Sequence, residues 1–295
     1  MVNFLRRGAM RADTPEPPQT LLKRITAHAW LYMLLGVVLI VQFSPLAWAL
    51  LTSFMDSKET TSVPAALIPL HPTFKSYIAT VKGDIGRYYN NSTVASFVST
   101  IITMILATLA AYAFARLRFR FKTPLLLFML SLSLFPPIAQ VVPVYQILQK
   151  LHLIGSLAAL ILPYSIMGLP LAVLVLIAIF QDIPLDLEEA AAVDGLTRWE
   201  AFVRIIVPVT LPGLFTAAVI IFVGDWNEYL FALNYTTPNT STLPVGLVTI
   251  SQTEFVTHFD QLAAATIISV IPLIVRIIMM ERRIISGLTI GVFKR

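Results

Sequence analysis

An apolar stretch in the second half of the chain contains two carboxylates among aromatic and amide side chains. Ionisable groups at membrane depth are costly, and they usually face the interior of a helix bundle or a water-filled cavity. Asp225 and Glu228 are three positions apart, so a continuous helix would place them on one face. They could relay protons, or the segment could pack against a partner or line a solute pathway. The candidate residues are Asp225, Trp226, Asn227, Glu228 and Tyr229.

The aromatic side chains of this stretch have two interpretations. Trp226, Tyr229 and Phe231 could stack on the rings of a sugar, because an aromatic ring offers a flat apolar surface. They could also belong to the belt of aromatic residues at the level of the lipid headgroups. The belt is the default expectation.

A second candidate region is polar, extends over about residues 182–210 and lies between two long apolar runs. We predict that its first part is a short helix, capped by Asp186 with Glu189 as the partner in a capping box. Gly195 is expected to end this helix, because glycine best tolerates the left-handed conformation of a helix end.

The second part of the polar region is predicted to be another short helix. Thr197 and Glu200 repeat the capping-box spacing at its start, and Pro208 is expected to close it. The small side chains at 190–192 would let another surface come close to the first helix. The region is therefore expected to dock in a groove of another protein.

The composition shows that these two regions do not belong to an ordinary soluble domain. Hydrophobic residues make up 57% of the 295 residues, and charged residues only 13%. The chain has no cysteine, which excludes disulfides, thiolate metal sites and cysteine nucleophiles. The net charge of +5 does not indicate a nucleic-acid partner, because the basic residues cluster beside apolar runs. The sequence predicts an all-α, polytopic membrane protein in contact with the lipid bilayer.

Six apolar runs are long enough to cross a bilayer as helices, which takes about 20 residues each. We predict six transmembrane helices, at about 29–54, 93–115, 124–148, 156–180, 211–233 and 262–284. They form one membrane domain at 29–284, between a basic tail at 1–28 and a C-terminal tail at 285–295. Prolines inside several runs are expected to kink the helices, and kinked helices often border a cavity.

The basic residues predict the orientation of the chain. Sixteen Lys and Arg residues lie on the side of the two termini and the polar region, and five lie on the other side. Cytoplasmic segments of membrane proteins carry the excess of Lys and Arg. Both termini and the polar region are therefore expected in the cytoplasm of a multi-pass protein of the cell membrane.

The sequence lacks the common motifs of catalysis. It contains no Gly-x4-Gly-Lys-Ser/Thr, no His-Glu-x-x-His and no Gly-x-Ser-x-Gly, and its four histidines are scattered. We therefore expect no enzyme activity, no bound cofactor and no metal site in this chain. If the protein pumps a solute, ATP hydrolysis must take place on another polypeptide.

The spacing in the polar region resembles the EAA loop of ABC-importer membrane subunits, the binding-protein-dependent permeases. The matching residues are Glu189-Ala190-Ala191, Gly195 after three residues, Ile205 after nine and Val207-Pro208 after one. Valine stands where leucine is usual. The resemblance implies a type I ABC importer permease fold, in which the first helix of the loop docks into a cleft of an ATP-binding subunit.

The resemblance also implies roles for the residues of this loop. Glu189 would pair with a basic group of the ATP-binding subunit, while Glu188 would be solvated. Gly195 would form the turn, and Ala190 and Ala191 would provide the close contact. The coupling residues implied in this way are Glu189, Ala190, Ala191, Asp194, Gly195, Ile205 and Pro208.

Two further segments carry the resemblance. The end from Ser286 to Arg295 is similar to the tail of maltose-type permease subunits, which reaches into the interface between two ATP-binding subunits. This similarity implies the same contact for Gly291 and Lys294. The segment 226–233 is similar to one often seen in carbohydrate-type permeases, which favours packing against the partner permease or pathway lining at that site.

Taken as a resemblance, these segments imply the second permease subunit of an inner-membrane importer for a sugar or a related polyol. The implied partners are a different permease subunit, two ATP-binding subunits that hold ATP and Mg, and an extracytoplasmic solute-binding protein. The binding protein would meet the loop at 235–261. Two alternatives stay open: a proton-coupled secondary transporter that titrates Asp225 or Glu228, and a membrane scaffold.

Overall fold

The computed structural model describes residues 18–62, 66–253, 256–272 and 274, with side chains from residue 29 onward except at 251–257. Contacts divide the chain into one unit that ends at Leu50 and a second that begins at Leu51. The predicted tail contacts of Gly291 and Lys294 lie outside the described residues.

The described residues of the first unit all lie in helix α1, Pro18–Thr52, whose last two residues belong to the second unit. Its stretch Ala29–Thr52 is apolar over 24 residues, which is enough to cross a bilayer. Pro45 lies inside this helix without ending it, as membrane helices often allow. The first predicted span is therefore a single helix.

The second unit is helical apart from two short strands, as far as the structure describes it. Its helices are α2 Ser57–Thr60, α3 Lys75–Lys82, α4 Ile85–Arg116, α5 Lys122–Ser133, α6 Pro137–Lys150, α7 Ala158–Met167, α8 Leu169–Gln181, α9 Asp186–Val193, α10 Arg198–Ala201, α11 Val207–Trp226, α12 Leu230–Tyr235, α13 Leu243–Ser251 and α14 Phe259–Pro272. The strands β1, Gln252–Thr253, and β2, Val256–Thr257, pair antiparallel. The all-α prediction is confirmed, with this two-residue ladder as the exception.

Three helical stretches are each long and apolar enough to cross a membrane: Ala29–Thr52, Ile85–Arg116 and Arg198–Trp226. Two further spans are bent pairs, since α5 meets α6 at 98° and α7 meets α8 at 44°. The described residues thus contain up to five spans, which is compatible with the six predicted. The sixth predicted run begins in α14, and most of its second half lies outside the described residues.

Two of the predicted spans that contain prolines are bent, as the prolines predicted, and each bend divides its span into two helices. Pro136 directly precedes α6, and Pro137 is its first residue. Proline lacks an amide donor and clashes with the preceding turn, so two in succession end α5. At the second bend, Gly168 separates α7 from α8, and Pro170 lies in the first turn of α8. Such breaks are tolerated in a membrane where other helices or water satisfy the freed carbonyls.

Helix α4 is the centre of the second unit, because it packs against α7, α8, α11 and α13. Ala107 and Ala111 on α4 are fully buried, and small side chains let membrane helices approach closely. They belong to a core cluster that also contains Phe180 of α8 and Phe202 at the end of α10. The polar region packs on this cluster through Ile183, Phe202 and Ile206.

One face of α4 carries a row of buried hydroxyl groups. Ser92, Ser96, Ser99 and Thr103 recur at helical spacing and are all buried. The hydroxyl of Thr103 donates a hydrogen bond to the carbonyl of Ser165 on α7 at 3.1 Å. Polar side chains between membrane helices form such bonds in place of apolar contacts.

Candidate functional site

The first helix of the polar region begins without a side-chain cap. Helix α9 starts at Asp186 after Leu185, and neither Asp186 nor Glu189 forms the predicted capping box. That prediction is wrong, because Asp186 already lies inside the helix. The acidic side chains of the first turn instead lie at the positive end of the helix dipole, where negative charge is favourable.

Gly195 ends α9 as predicted. Its φ of 84° lies in the left-handed region. The Gly195 amide donates to the carbonyl of Ala192 at 3.1 Å, and the Leu196 amide donates to the carbonyl of Ala191 at 3.0 Å. This pair of bonds is the Schellman motif, which satisfies the last carbonyls of a helix. Nothing lies within 4 Å of a Cβ added at Gly195, so the backbone conformation alone favours glycine.

The second helix of the polar region starts as predicted and ends elsewhere. Thr197 and Glu200 form a capping box, with the Thr197 amide 2.9 Å from the Glu200 carboxylate. Pro208 does not close the helix, which is continuous over Arg198–Trp226. A π-helical turn at Phe202–Ile206 shifts the bonding register, and Pro208 follows in the first turn of α11. Pro208 is tolerated inside this continuous helix because the π-helical turn changes the bonding register just before it, so the missing amide disturbs the helix less than in a regular α-helix.

An ion pair joins the polar region to the central helix. Arg116, the last residue of α4, places its Nε 2.7 Å from Oε1 of Glu188 on α9. Its Nη2 donates to the carbonyl of Ile183 at 2.6 Å, and the Tyr112 hydroxyl donates to Oε2 of Glu188 at 3.1 Å. The side chains of Arg116 and Glu188 are only 8% and 22% exposed. The expectation of a solvated Glu188 is therefore wrong.

The other side of α9 is open. Glu189, Ala190, Val193 and Asp194 are exposed, and Val193 is 88% exposed. Ala191 is buried within this chain, so in this conformation it packs inward and Ala190 alone of the pair reaches the surface. Helix α9 thus has one side fixed to α4 and one side free.

The second half of the predicted loop motif lies on the continuous helix. Ile205 is half-buried in the π-helical turn, and Pro208 is exposed. Phe202 packs its ring against Tyr112 of α4, with the centroids 4.5 Å apart. The polar region is therefore attached to α4 by an aromatic contact as well as by the ion pair.

The two carboxylates in the apolar stretch contact different helices. Asp225 lies in the last turn of α11 and accepts a hydrogen bond from the Ser99 hydroxyl of α4 at 2.5 Å. Glu228 accepts a hydrogen bond from the Tyr164 hydroxyl of α7 at 2.7 Å. Because α11 ends at Trp226, the two carboxylates do not share a face of one helix, and that prediction is wrong.

Glu228 also caps the next helix. Its carboxylate accepts hydrogen bonds from the backbone amides of Phe231 at 2.8 Å and Ala232 at 3.1 Å. These amides belong to the first turn of α12 and have no partner within that helix. A carboxylate at the start of a helix is also favoured by the helix dipole. Glu228 therefore stabilises the break between α11 and α12.

The aromatic residues beside the carboxylates differ in exposure. Trp226 is buried against Tyr89, with ring centroids 5.2 Å apart, and against Phe222 at 5.7 Å. Phe231 is buried as well, whereas Tyr229 is 37% exposed. The belt expectation is wrong for Trp226 and Phe231, because their rings pack inside the chain.

Asn227 occupies the break itself. Its side-chain amide donates to the carbonyl of Val223 at 2.8 Å, and the residue is exposed. This bond satisfies one of the last carbonyls of α11.

Among the residues that the structure describes, no three His, Asp or Glu side chains converge as a metal site would require.

The segment after α12 is fastened to the start of α4. The Asn91 side-chain amide donates to the carbonyls of Asn239 at 3.0 Å and Ser241 at 2.9 Å, and the Leu243 amide donates to the Ser92 hydroxyl at 2.7 Å. A Cβ added at Gly246 of α13 would lie 2.2 Å from the Tyr88 ring. This close approach places α13 directly against α4.

The described residues combine helices long and apolar enough to cross a membrane with one polar loop of two short helices. Residues 104–288 match the family model described as the binding-protein-dependent transport system inner membrane component. The chain belongs to this family, and the family resemblance predicted from the sequence is confirmed.

Two relatives agree with this assignment, and a solved structure shares the fold. The chain is 36% identical over 261 residues to the sulfoquinovosyl glycerol transport system permease protein SmoH of Agrobacterium fabrum, a match that covers 88% of this chain and 91% of the relative. It is 38% identical over 254 residues to the trehalose transport system permease protein SugB of Mycobacterium tuberculosis, covering 85% and 92%. A chain of a bacterial ABC transporter involved in the import of the acidic polysaccharide alginate shares the fold, with a TM-score of 0.71 at 16% identity over 92% and 99%.

Proposed function

We propose that this chain is the second of two different permease subunits in an ATP-driven importer for a sugar. The observation that carries the proposal is the arrangement of α9. Glu188 fixes one side of this helix to α4, whereas Glu189 and Ala190 are exposed on the other side. A helix held in this way can receive a partner's surface and pass its movement to α4.

In this proposal the free side of α9 docks on an ATP-binding subunit. Glu189 pairs with a basic group there, Ala190 makes the close contact, and Gly195 forms the hinge with Asp194 exposed beside it. The second helix of the loop transmits the movement to α11 through the stretch from Ile205 to Pro208. Two partner subunits hold ATP and Mg and hydrolyse the nucleotide, so this chain is not an enzyme.

The proposed solute is a sugar or a related polyol. Relatives at 36% and 38% identity are named for the transport of sulfoquinovosyl glycerol and of trehalose. Both matches cover more than four-fifths of this chain and more than nine-tenths of the relative. The similarity therefore extends over the spans that enclose the solute pathway.

In this proposal the segment 225–229 holds together the helices that line the solute pathway. Asp225 holds the end of α11 against α4, and Glu228 holds the start of α12 against α7. Trp226 and Phe231 are buried, so Tyr229 is the aromatic residue of this segment whose ring is open to contact with a solute. The proton-coupled alternative is not favoured, because Glu228 already accepts two backbone amides and one hydroxyl, and protonation would remove part of this acceptor capacity.

The remaining proposed partners are a different permease subunit and an extracytoplasmic solute-binding protein, which meets the loop at 235–261. The termini and α9 face the cytoplasm, an orientation that the distribution of Lys and Arg supports. Gly291 and Lys294 reach between the two ATP-binding subunits. Closure of those subunits rocks the helices as rigid bodies, which exposes the pathway to each side in turn.

The variant Glu189→Lys tests this proposal in an importer reconstituted with the subunits of the neighbouring reading frames. We expect uptake and solute-stimulated ATP hydrolysis to fall on the order of tenfold or more, because like charges would replace a charge pair. Membrane insertion should not change, since Glu189 is exposed within this chain. The matched control Asp182→Lys reverses an exposed charge outside α9 and should transport normally. Wild-type uptake by Glu189→Lys would contradict the proposal.

A further inference from the structure

The short helix α3 has its polar face turned inward. Ser76 and Thr80 are buried, although a surface helix normally buries apolar residues. The Ser76 hydroxyl donates a hydrogen bond to Oδ2 of the buried Asp260 at 2.6 Å. The Thr80 hydroxyl donates to the carbonyl of Ser76 at 2.7 Å. The second bond lies within α3, and the bond from Ser76 to Asp260 fixes which side of α3 faces the rest of the second unit.

The opposite side of α3 is an apolar stripe. Phe74, Ile78 and Val81 follow the i, i+4, i+7 spacing of one helical face, and they are 63%, 53% and 64% exposed. Lys75 and Lys82 lie along one edge of this stripe, because a helix turns by about 100° per residue. The Phe74 ring meets Phe54 edge-on, with the centroids 5.4 Å apart, but most of the stripe is exposed within the second unit.

The length of α4 sets the depth of α3. Gly83 and Asp84 join α3 directly to α4, which has 32 residues and is therefore about 48 Å long. A bilayer with its headgroups is about 40–45 Å thick. Because Arg116 at the far end of α4 contacts the polar loop, the near end lies at the headgroups of the opposite leaflet. The C-terminal end of α3 therefore lies at this level.

We propose that α3 lies in the membrane interface of the leaflet opposite the polar loop, with its apolar stripe against the lipid. Phe74, Ile78 and Val81 enter the boundary between headgroups and acyl chains. Lys82 extends toward the lipid phosphates, as lysines at an interface do, whereas Lys75 pairs with Asp56 at 3.2 Å at the edge of the stripe. Helix α3 is also hydrogen-bonded to α14, the last described helix, through Ser76 and Asp260. It thereby ties the start of α14 to the membrane surface.

Single cysteines test the proposal directly, because the chain contains no native cysteine. A spin label at Ile78→Cys reports on the stripe, and one at Val81→Cys is a second reporter in case either variant fails to fold. Ala79→Cys is the matched control, since Ala79 is exposed on the same helix beyond the lysines. The labelled protein is purified with whatever subunits it binds and placed in phospholipid nanodiscs. Collision rates with oxygen, which concentrates in lipid, and with a water-soluble nickel chelate are then compared.

The expected result is an oxygen-to-nickel ratio several-fold higher at Ile78→Cys and Val81→Cys than at Ala79→Cys. Nickel accessibility as high on the stripe as at the control would mean that the stripe faces water. Low accessibility to both reagents would mean that another protein covers it. Either of these two results would overturn the proposal.

Discussion

Arg116 and Glu188 form a 2.7 Å ion pair between the last residue of the central helix α4 and the first turn of α9. The guanidinium also holds the Ile183 carbonyl, so the chain leading into α9 is attached to α4 at two points. Tyr112 adds a hydrogen bond to the same carboxylate. A force on α9 therefore reaches α4 through a short, directional contact.

The first prediction concerns this pair. Arg116→Gln or Glu188→Gln should lower thermal stability and uptake, because each leaves a mostly buried charge without its partner. The loss should be below the about 3–5 kcal/mol of a fully buried pair, since Glu188 is 22% exposed. Thermal unfolding in detergent and solute uptake measure the two effects.

The chain offers a matched control for this prediction. Arg204 and Glu200 form an exposed pair at 3.6 Å on the second helix of the loop. Arg204→Gln should change stability by less than about 1 kcal/mol, as exposed pairs usually do. An equal loss in Arg204→Gln and Arg116→Gln would contradict the special role of the buried pair. Partial recovery of uptake in the charge-swapped Arg116→Glu, Glu188→Arg protein would support it.

The second prediction concerns Gly195. With a φ of 84° and free space around the position, a side chain is disfavoured by the backbone alone. Gly195→Ala should lower stability by about 1–2 kcal/mol. Gly195→Asn should cost less, because asparagine tolerates the left-handed region. Uptake and thermal unfolding that fall in the order Gly, Asn, Ala would agree, whereas equal values for Asn and Ala would count against this account.

The third prediction concerns Gly246. An added Cβ would lie 2.2 Å from the Tyr88 ring, so Gly246→Ala must move α13 or the ring. Overpacking of this kind costs about 1–3 kcal/mol. Gly86→Ala on α4 is the control, because a Cβ there would meet nothing within 4 Å. Thermal unfolding should show a clear loss of stability for Gly246→Ala and none for Gly86→Ala. Adding Tyr88→Ala to the Gly246→Ala protein should restore part of the lost stability. Equal stability of the two glycine variants would refute the close contact.

The fourth prediction separates a bracing role of Glu228 from a proton relay. Glu228→Gln keeps an oxygen that can accept the amides of α12, so uptake should persist. Glu228→Ala removes the cap and should cost about 0.5–2 kcal/mol of stability, as lost helix caps do. Uptake is measured with ATP present and with the proton gradient collapsed. Loss of all uptake in Glu228→Gln would instead favour the relay.

Local features of the polar region could be predicted from the sequence. The turn at Gly195 and the Thr197–Glu200 capping box depend on residues within one helical turn. Pro208 could not be predicted correctly in the same way. Its position in the middle of a long helix depends on the π-helical turn before it, and that turn is supported by packing of Phe202 in the core.

Contacts between distant parts of the chain could not be predicted from one sequence. Tyr112 and Glu188 are 76 positions apart, and Ser99 and Asp225 are 126 apart. In the sequence, Arg116 is one of sixteen basic residues that predict the orientation, and nothing near it points to Glu188. The serine and threonine stripe on α4 was the available signal for the buried face, since its helical spacing is present in the sequence.

The most direct measurement is photo-crosslinking from the free side of α9 in the assembled complex. A crosslinking residue at Ala190 or Val193 should capture an ATP-binding subunit, because both positions are exposed. The same residue at Asp182, which is exposed outside α9, should not. An intact complex in which Ala190 and Val193 crosslink no more than Asp182 would contradict the claim that α9 receives the force of ATP hydrolysis.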